Sequence, residues 1–593
     1  MDGRKFTGKL SVRLVSSLAK VFADEVAGED LVGGRLPKLC GLGGEQVSFQ
    51  AAYFYEGNLS RYMKVCVESD LPVSVRLVRL VPVSYPFRTG WSDEDYLRKV
   101  PGLYPDALQE VTDGIVRAIE GQWRSLWIEV SIPQGCPAGE YPVRVLFCDT
   151  DCDVDSASAS AASDAENHGV HAEARTTVHV VGADLPAQVL KHTEWFHADC
   201  LAEYYGVEAL SERHWAIMKN FIKKAAERGC NMILTPIFTP PLDTEVGTER
   251  MTVQLVDVKK PKSGAYVFGF ENLERWVKMC EECGIRYFEM AHLFTQWGAL
   301  AAPKIVAEVE VESLNKAPNS RWESRRIFGW DTPADGEEYR GFLKAFLPEL
   351  TKTLQSLGIA DRTYFHISDE PSEEHLAQYQ RNKELVQPYL KGFPILDALS
   401  DITFYEMGVV EEPVCASNHI EPFLERAHGK IWSYYCISQA VKVSNRFLAM
   451  PSSRNRIYGY QVFKFGMEGI LHWGYNFYHT ERSRKIINPY VSTDGDGSFP
   501  AGDAFLVYPG KDGMPEESLR FVVLAEALQD VRAFRLLESL TDHETVVNLV
   551  EEGLKEPITF SEYPKGEAFC LNMRARVNQK IEELLKHPGT SER

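Results

Sequence analysis

Between residues 193 and 474, eight short β-rich runs alternate with amphipathic helical stretches, and this alternation restricts the fold more than any other feature of the chain. A helix between successive strands covers the sheet and forces neighbouring strands to run parallel. The runs cover 193–197, 232–238, 287–294, 363–368, 394–398, 413–416, 431–435 and 469–474. The clearest helix covers 211–228, with Ser211 placed to cap its start and Gly229 to stop it. Others are expected over 339–357, 373–390 and 454–465. Eight strand–helix repeats over about 290 residues fit a (β/α)8 TIM-type barrel. The fifth and sixth runs are short, so a doubly wound sheet is the alternative.

The first third has another rhythm. Runs at 47–54, 73–80, 125–131, 141–147 and 176–182 alternate or stay β-rich, with Gly and Pro between them, as in a β-sandwich. The Ser-, Ala- and Asp-rich stretch 151–171 reads as a hairpin loop, and 185–188 as a linker. Past residue 494 the chain is turn-rich, and two helices follow near 518–540 and 570–585. A chain of 593 residues exceeds one compact core. The expected domains are a sandwich over 1–186, a catalytic barrel over 187–493 and a C-terminal extension over 494–593, packing on the barrel.

Charge and cysteines narrow the setting. A formal net charge of −20 argues against nucleic acid or an anionic membrane as partner, since both require a basic face. No apolar run is long enough to span a bilayer. The first residues lead into an alternating run at 10–15 and lack the apolar core of a signal peptide. The twelve cysteines follow no disulfide-framework spacing, which points to a reducing cytoplasm. Cys280 and Cys283 have C-x-x-C spacing, but a zinc site needs two more ligands, and half-buried helix cysteines are the plainer reading. No Gly-rich phosphate loop or dinucleotide fingerprint occurs, so no cofactor and no metal are expected.

In a barrel, reacting groups come from the C-terminal ends of strands and the loops after them. Those positions carry Trp195, His197 and Asp199 at and just past the end of the first run, and His292, Gln296 and Trp297 at and past the end of the third. Asp369 and Glu370 follow the fourth, Tyr434 ends the seventh, and Trp473, Tyr475 and Asn476 end the eighth. Trp330 lies in the long loop after the third. Aromatic faces beside hydrogen-bonding side chains suit a sugar, whose C–H face stacks while its hydroxyl edge takes polar partners. Any one of these aromatics could equally fill a barrel layer. Asp369 and Glu370, followed by Pro371, could simply open a helix. Neighbouring carboxylates also oppose joint ionisation, which leaves one able to act as an acid near neutrality. Because adjacent strand residues face opposite ways, a bend is needed to aim both at one ligand.

The motifs Phe365-His-Ile-Ser-Asp-Glu-Pro371, Gln296-Trp-Gly-Ala299, Ser444-Asn-Arg-Phe-Leu-Ala-Met-Pro451 and His472-Trp-Gly-Tyr-Asn-Phe477 resemble glycoside hydrolase family 123. A Tyr508-Pro-Gly510 turn and the Ser518-Leu-Arg520 helix start extend the likeness over roughly 190–540. The resemblance implies a retaining β-N-acetylgalactosaminidase that works by substrate assistance. It implies that Asp369 orients the acetamido group of the substrate, while Glu370 protonates the leaving oxygen and then activates water. It also implies a glycan or glycoconjugate substrate. Two alternatives stay open at this level. One is an ordinary two-carboxylate glycosidase with Glu289, Asp199 or Asp397 as nucleophile; the other is a carbohydrate-binding protein on a decayed barrel.

Overall fold

The computed structural model describes residues 8–25, 36, 38–150, 169–311 and 321–587. The expected hairpin loop at 151–171 lies, through residue 168, outside the described residues. The chain forms two compact units, neither a single run of sequence: one comprises 1–188, 444–464 and 516–593, the other 189–443 and 465–515. Residues 516–593, most of the expected C-terminal extension, fall in the first unit.

The first unit contains two sheets. In one, strands Gly8–Ser16, Gln46–Gly57, Trp123–Ser131, Val73–Val83 and Gly102–Glu110 lie side by side, all antiparallel. The other orders Leu39–Gly43, Val170–Asp184, Gly139–Cys148, Ser60–Ser69 and Ile115–Ile119. Alternation aims Phe49, Ala51, Tyr53 and Ile128 of the first sheet into one core with Met63, Val65, Val145, Phe147 and Val178 of the second. A second core joins Leu18, Leu42, Trp127 and Val181 to Ile457, Phe463, Phe534 and Ile581 of three helices, Ser452–Lys464, Leu519–Leu540 and Glu567–Lys586.

The second unit is built on eight parallel strands: β1 (Lys191–Glu194), β2 (Met232–Thr235), β3 (Tyr287–Met290), β4 (Thr363–Phe365), β5 (Leu396–Leu399), β6 (Glu412–Ala416), β7 (Trp432–Tyr434) and β8 (Gly469–His472). Their order is β4-β3-β2-β1-β8-β7-β6-β5. A single parallel bridge, Phe365 to Ile395, and the Phe365 N–H donating to the Pro394 carbonyl at 3.0 Å bring the two ends of the sheet together. The sheet is therefore barrel-like. Each strand lies within the matching sequence run or within one or two residues of it. The Ser211 hydroxyl caps helix Glu212–Glu227 by accepting the His214 N–H at 3.3 Å. A small sheet in the long loops after β2 and β3, built from Asp257–Lys260, Val267–Gly269, Ile305–Val311 and Arg321–Phe328, is an addition that the strand–helix rhythm does not announce.

Inside the barrel, Trp195, Leu234, Tyr364, Leu396, Val414, Trp432 and Leu471 share one core. Trp432 is in register with Gly469 on the neighbouring strand. A Cβ at Gly469 would stand 2.3 Å from the Trp432 ring, so the glycine is what lets the indole lie flat across β8. Gly469→Ala should destabilise the fold by about 1–3 kcal/mol through this overlap. Combining it with Trp432→Leu should give less than the sum of the two losses in urea unfolding.

Candidate active site

β4 ends at Phe365, and the chain then runs beside the segment after β3. The Leu293 and Phe294 N–H groups donate to the His366 and Ile367 carbonyls at 3.2 and 3.1 Å, and the Ser368 hydroxyl donates to the Thr295 carbonyl at 2.9 Å. The Trp297 N–H donates to the Asp369 carbonyl at 3.1 Å. At Glu370 the backbone turns left-handed, with φ 43°. This is the bend that two adjacent carboxylates need, and both line one cavity of about 130 Å³.

Most of that wall is apolar or aromatic: Trp195, Leu242, Trp297, Ile437, Leu471, Trp473 and Phe499. Trp297 stays 40% exposed, as an open stacking face must. The polar lining is Asp243, Gln296, Asp369, Glu370 and Tyr434, with the Cys436 thiol. The Tyr434 hydroxyl donates to Glu370 Oε1 at 2.7 Å, and the Trp473 indole donates to buried Asp503 at 3.0 Å. A side chain at Gly474 would collide with the Ala504 carbonyl, 2.6 Å from its Cβ position, so that glycine admits the strand-like segment that carries Asp503.

The electrostatics favour a retained proton. Burial and the neighbouring Glu370 charge push Asp369 well above the usual carboxylate range, against the pull of His366. Glu370 keeps exposed surface, yet protein crowds its carboxylate. That burial raises it, the Tyr434 hydroxyl draws it down, and Asp503 adds a further push upward. The pair therefore titrates as a unit above isolated carboxylates. Asp243 is pushed up to about 6 by burial, against the Arg482 N–H that it accepts at 3.0 Å.

Below the pair lies a buried charge network. His366 Nε2 is 3.0 Å from Glu289 and its Nδ1 is 3.4 Å from Asp397. Burial opposes its charge, but the two carboxylates raise it to about 10. Glu289 also accepts the Trp195 indole at 3.1 Å and the Thr193 hydroxyl. Asp397 also accepts the Ile367 N–H at 3.2 Å and the Tyr379 hydroxyl. Asp199 is paired with Arg250 at 2.7 Å. None of these three carboxylates lines the cavity.

Four residues expected at the site stand behind it or away from it. His292 is buried and stacks on His366, ring centres 4.5 Å apart. Tyr475 donates to the Phe221 carbonyl at 2.9 Å, and Asn476 clamps the His197 backbone through bonds of 2.9 and 3.0 Å. Trp330 donates to the Thr248 carbonyl at 3.1 Å and lines a separate recess of about 30 Å³. Tyr475, Asn476 and Trp330 each commit their polar tip to a backbone partner, while His292 is held by ring stacking and its two nitrogens have no hydrogen-bond partner among the described residues. Gln296, Trp297, Tyr434 and Trp473 do line the cavity. Asp243 and Asp503 were not anticipated, because neither ends a predicted strand.

Among the described residues one group, His292, His366 and Asp397, brings possible metal ligand atoms within 4.8 Å of one another. It fits an ion poorly. The rings lie 20° from parallel, so their in-plane lone pairs run side by side, and Asp397 is already engaged.

Among known families, the one described as "Glycoside hydrolase 123, catalytic domain" matches residues 195–537, more than half of the chain. A solved family 123 glycoside hydrolase from Clostridium perfringens, described in terms of glycolipid glycan hydrolysis, aligns at TM-score 0.69 and 13% identity, over 98% of each chain. That likeness is one of fold. A family 5 mannosidase from Rhizomucor miehei aligns at TM-score 0.30 and 12% identity, over 61% of this chain and 95% of that one. A cyclomaltodextrinase aligns at TM-score 0.29 and 9% identity, over 83% and 82%. Neither of these two carries an argument. No curated protein matches the chain.

The Tyr434 contact gives a signed expectation. Its hydroxyl stabilises the charged form of Glu370, so Tyr434→Phe should move the Glu370 titration to higher pH. The basic limb of a pH–rate profile on an aryl glycoside should shift upward with it. A limb that stays in place would mean that another group controls it.

Proposed function

The chain belongs to glycoside hydrolase family 123, and from that premise we propose that it removes a terminal β-linked N-acetylhexosamine, foremost N-acetylgalactosamine, by substrate assistance. The observation that carries the reading is the lining of the cavity. Asp369 and Glu370 face it together, while Glu289, Asp199 and Asp397 are locked in buried pairs behind it. A nucleophile supplied by the substrate fits that arrangement. We read the supporting fold as a (β/α)8 barrel preceded by a β-sandwich, and the glycan of a glycolipid, as named for the Clostridium perfringens enzyme, as one natural substrate. The described cysteines are all free, which agrees with a reducing compartment.

In this mechanism Asp369 accepts the acetamido N–H and polarises the group. The acetamido oxygen attacks the anomeric carbon, the bond to the leaving oxygen breaks, and Glu370 gives that oxygen its proton. An oxazolinium ion forms and the aglycone departs. Glu370, now a carboxylate, takes a proton from water as the water opens the ring at the anomeric carbon. Two inversions retain the β configuration. The titration of the pair is raised above that of isolated carboxylates, which favours a retained proton, and Trp195, Trp297 and Trp473 give the cavity an apolar, aromatic wall.

A second reading has one observation in its favour. Asp243 is a third carboxylate in the lining, so a two-carboxylate hydrolase could draw on it. Fluorosugar trapping separates the two: labelling of Asp243 would replace substrate assistance.

Glu370→Gln should lose about 10²–10⁴-fold on a natural glycoside and far less on a nitrophenyl glycoside, whose leaving group needs little protonation. Asp369→Asn should slow both substrates and weaken inhibition by a thiazoline mimic of the cyclised sugar. Aryl glycosides without the 2-acetamido group should be poor substrates, and equal turnover with and without it would sink the reading. Activity should survive exhaustive chelation, because each step has its acid, base and nucleophile without a Lewis acid.

A further inference from the structure

We propose that Asp243, paired with Gln296, receives a hydroxyl of the terminal sugar away from its anomeric carbon and so helps to select which sugar the site accepts. The proposal rests on the glycosidase reading and deepens it.

A sugar hydroxyl that leaves water must find both an acceptor and a donor, or its burial is costly. The cavity offers few. The Tyr434 hydroxyl is engaged by Glu370, and the Trp473 indole by Asp503. Asp369 and Glu370 are assigned to the acetamido group and the glycosidic oxygen. That leaves Asp243 and the Gln296 amide among the carboxylate and amide side chains of the lining.

The two are coupled. Gln296 Oε1 accepts the Asp243 backbone N–H, which turns the amide nitrogen of Gln296 the other way. Asp243 Oδ2 accepts the Arg482 N–H at 3.0 Å, and Oδ1 has no hydrogen-bond partner among the described residues. One acceptor and one donor thus line the same cavity, on two residues that are bonded to each other, as a hydroxyl requires.

The turn that presents Asp243 is over-determined. Its φ of 39° is left-handed, a conformation that a non-glycine residue holds only under constraint. Trp297 and Glu370, at φ 55° and 43°, share both that conformation and the cavity. The constraint at Asp243 comes from the Ser483 hydroxyl, which donates to its carbonyl at 2.7 Å, and from Arg484, which holds Glu245 at 2.7 and 2.9 Å. A loop fastened in this way keeps a carboxylate at a fixed point in the wall.

The test is a chemical double-mutant cycle. Wild type, Asp243→Asn and Asp243→Ala are assayed on the nitrophenyl glycoside that the wild type turns over best, and on analogues of it that each lack one ring hydroxyl. Asp243→Ala should lose about 10- to 100-fold in kcat/KM, chiefly through KM, and Asp243→Asn less. One deoxy analogue should lose a comparable factor with wild type and little more with Asp243→Ala. The same loss on every analogue in every variant would overturn the proposal, and so would collapse of kcat at unchanged KM. If Asp243→Ala does not fold, as judged by circular dichroism, the near-isosteric Asp243→Asn decides by the same cycle. The outcome does not depend on whether the best glycoside carries an acetamido group. Dependence on that group instead tests the mechanism, so the two readings can fail separately.

Discussion

Two neighbouring residues of an extended strand point to opposite sides, and the site depends on how the chain escapes that rule. The escape is the left-handed turn at Glu370 directly after β4. Such a conformation costs about 1–3 kcal/mol and persists only where its surroundings hold it. Here the Trp297 N–H fixes the Asp369 carbonyl from the β3 loop, Ser368 ties the segment to Thr295, and Tyr434 reaches across from β7 to the Glu370 carboxylate. Three strand ends thereby converge on one dipeptide. The same device recurs at Trp297 and Asp243, so the acidic pair and part of the cavity wall are set by backbone strain that the barrel restrains.

Beneath this turn the barrel interior is charged. His366 sits between Glu289 and Asp397, all three buried. Removing such groups from water is unfavourable unless each is paired and hydrogen-bonded, and both carboxylates take extra donors here. The result is a rigid polar layer three residues from Asp369. Its imidazole charge tempers the rise that burial imposes on that carboxyl, while Asp503 strengthens the rise at Glu370. The two members of the pair thus sit in different fields although they are adjacent in sequence: burial and the Glu370 charge carry Asp369 well above the usual carboxylate range, whereas the Tyr434 hydroxyl holds back the rise at Glu370.

The barrel strands were legible because strand and helix periodicities differ and alternate, and the acidic pair that lines the cavity because it closes the fourth run. Alternation and strand ends say nothing about residues reached by long loops. Asp243 lies within the loop after β2, and Asp503 beyond β8 in a stretch read as extension; each reaches the site through tertiary contacts that no local pattern encodes. The sequence also cannot tell which of several polar tips at a strand end will find a partner inside the wall. Tyr475 and Asn476 do, by way of Phe221 and His197, whereas Trp473 between them and β8 faces the cavity. The positive φ at Glu370 was the exception: adjacency of two carboxylates required a bend, and the bend is there.

The first unit has a consequence for biosynthesis. The face of its sheets that carries Leu18, Leu42, Trp127 and Val181 is covered by helices drawn from 452–464 and from 519 onward. The ribosome delivers the strands first, then seven of the eight barrel strands before the first covering helix, and the eighth before the other two helices. That apolar face therefore lacks its full cover until residues 519–586 have been made. Vectorial folding, in which the first unit matures before the next begins, is closed to this chain, because the strands of that unit and the helices that cover them bracket the barrel strands in sequence.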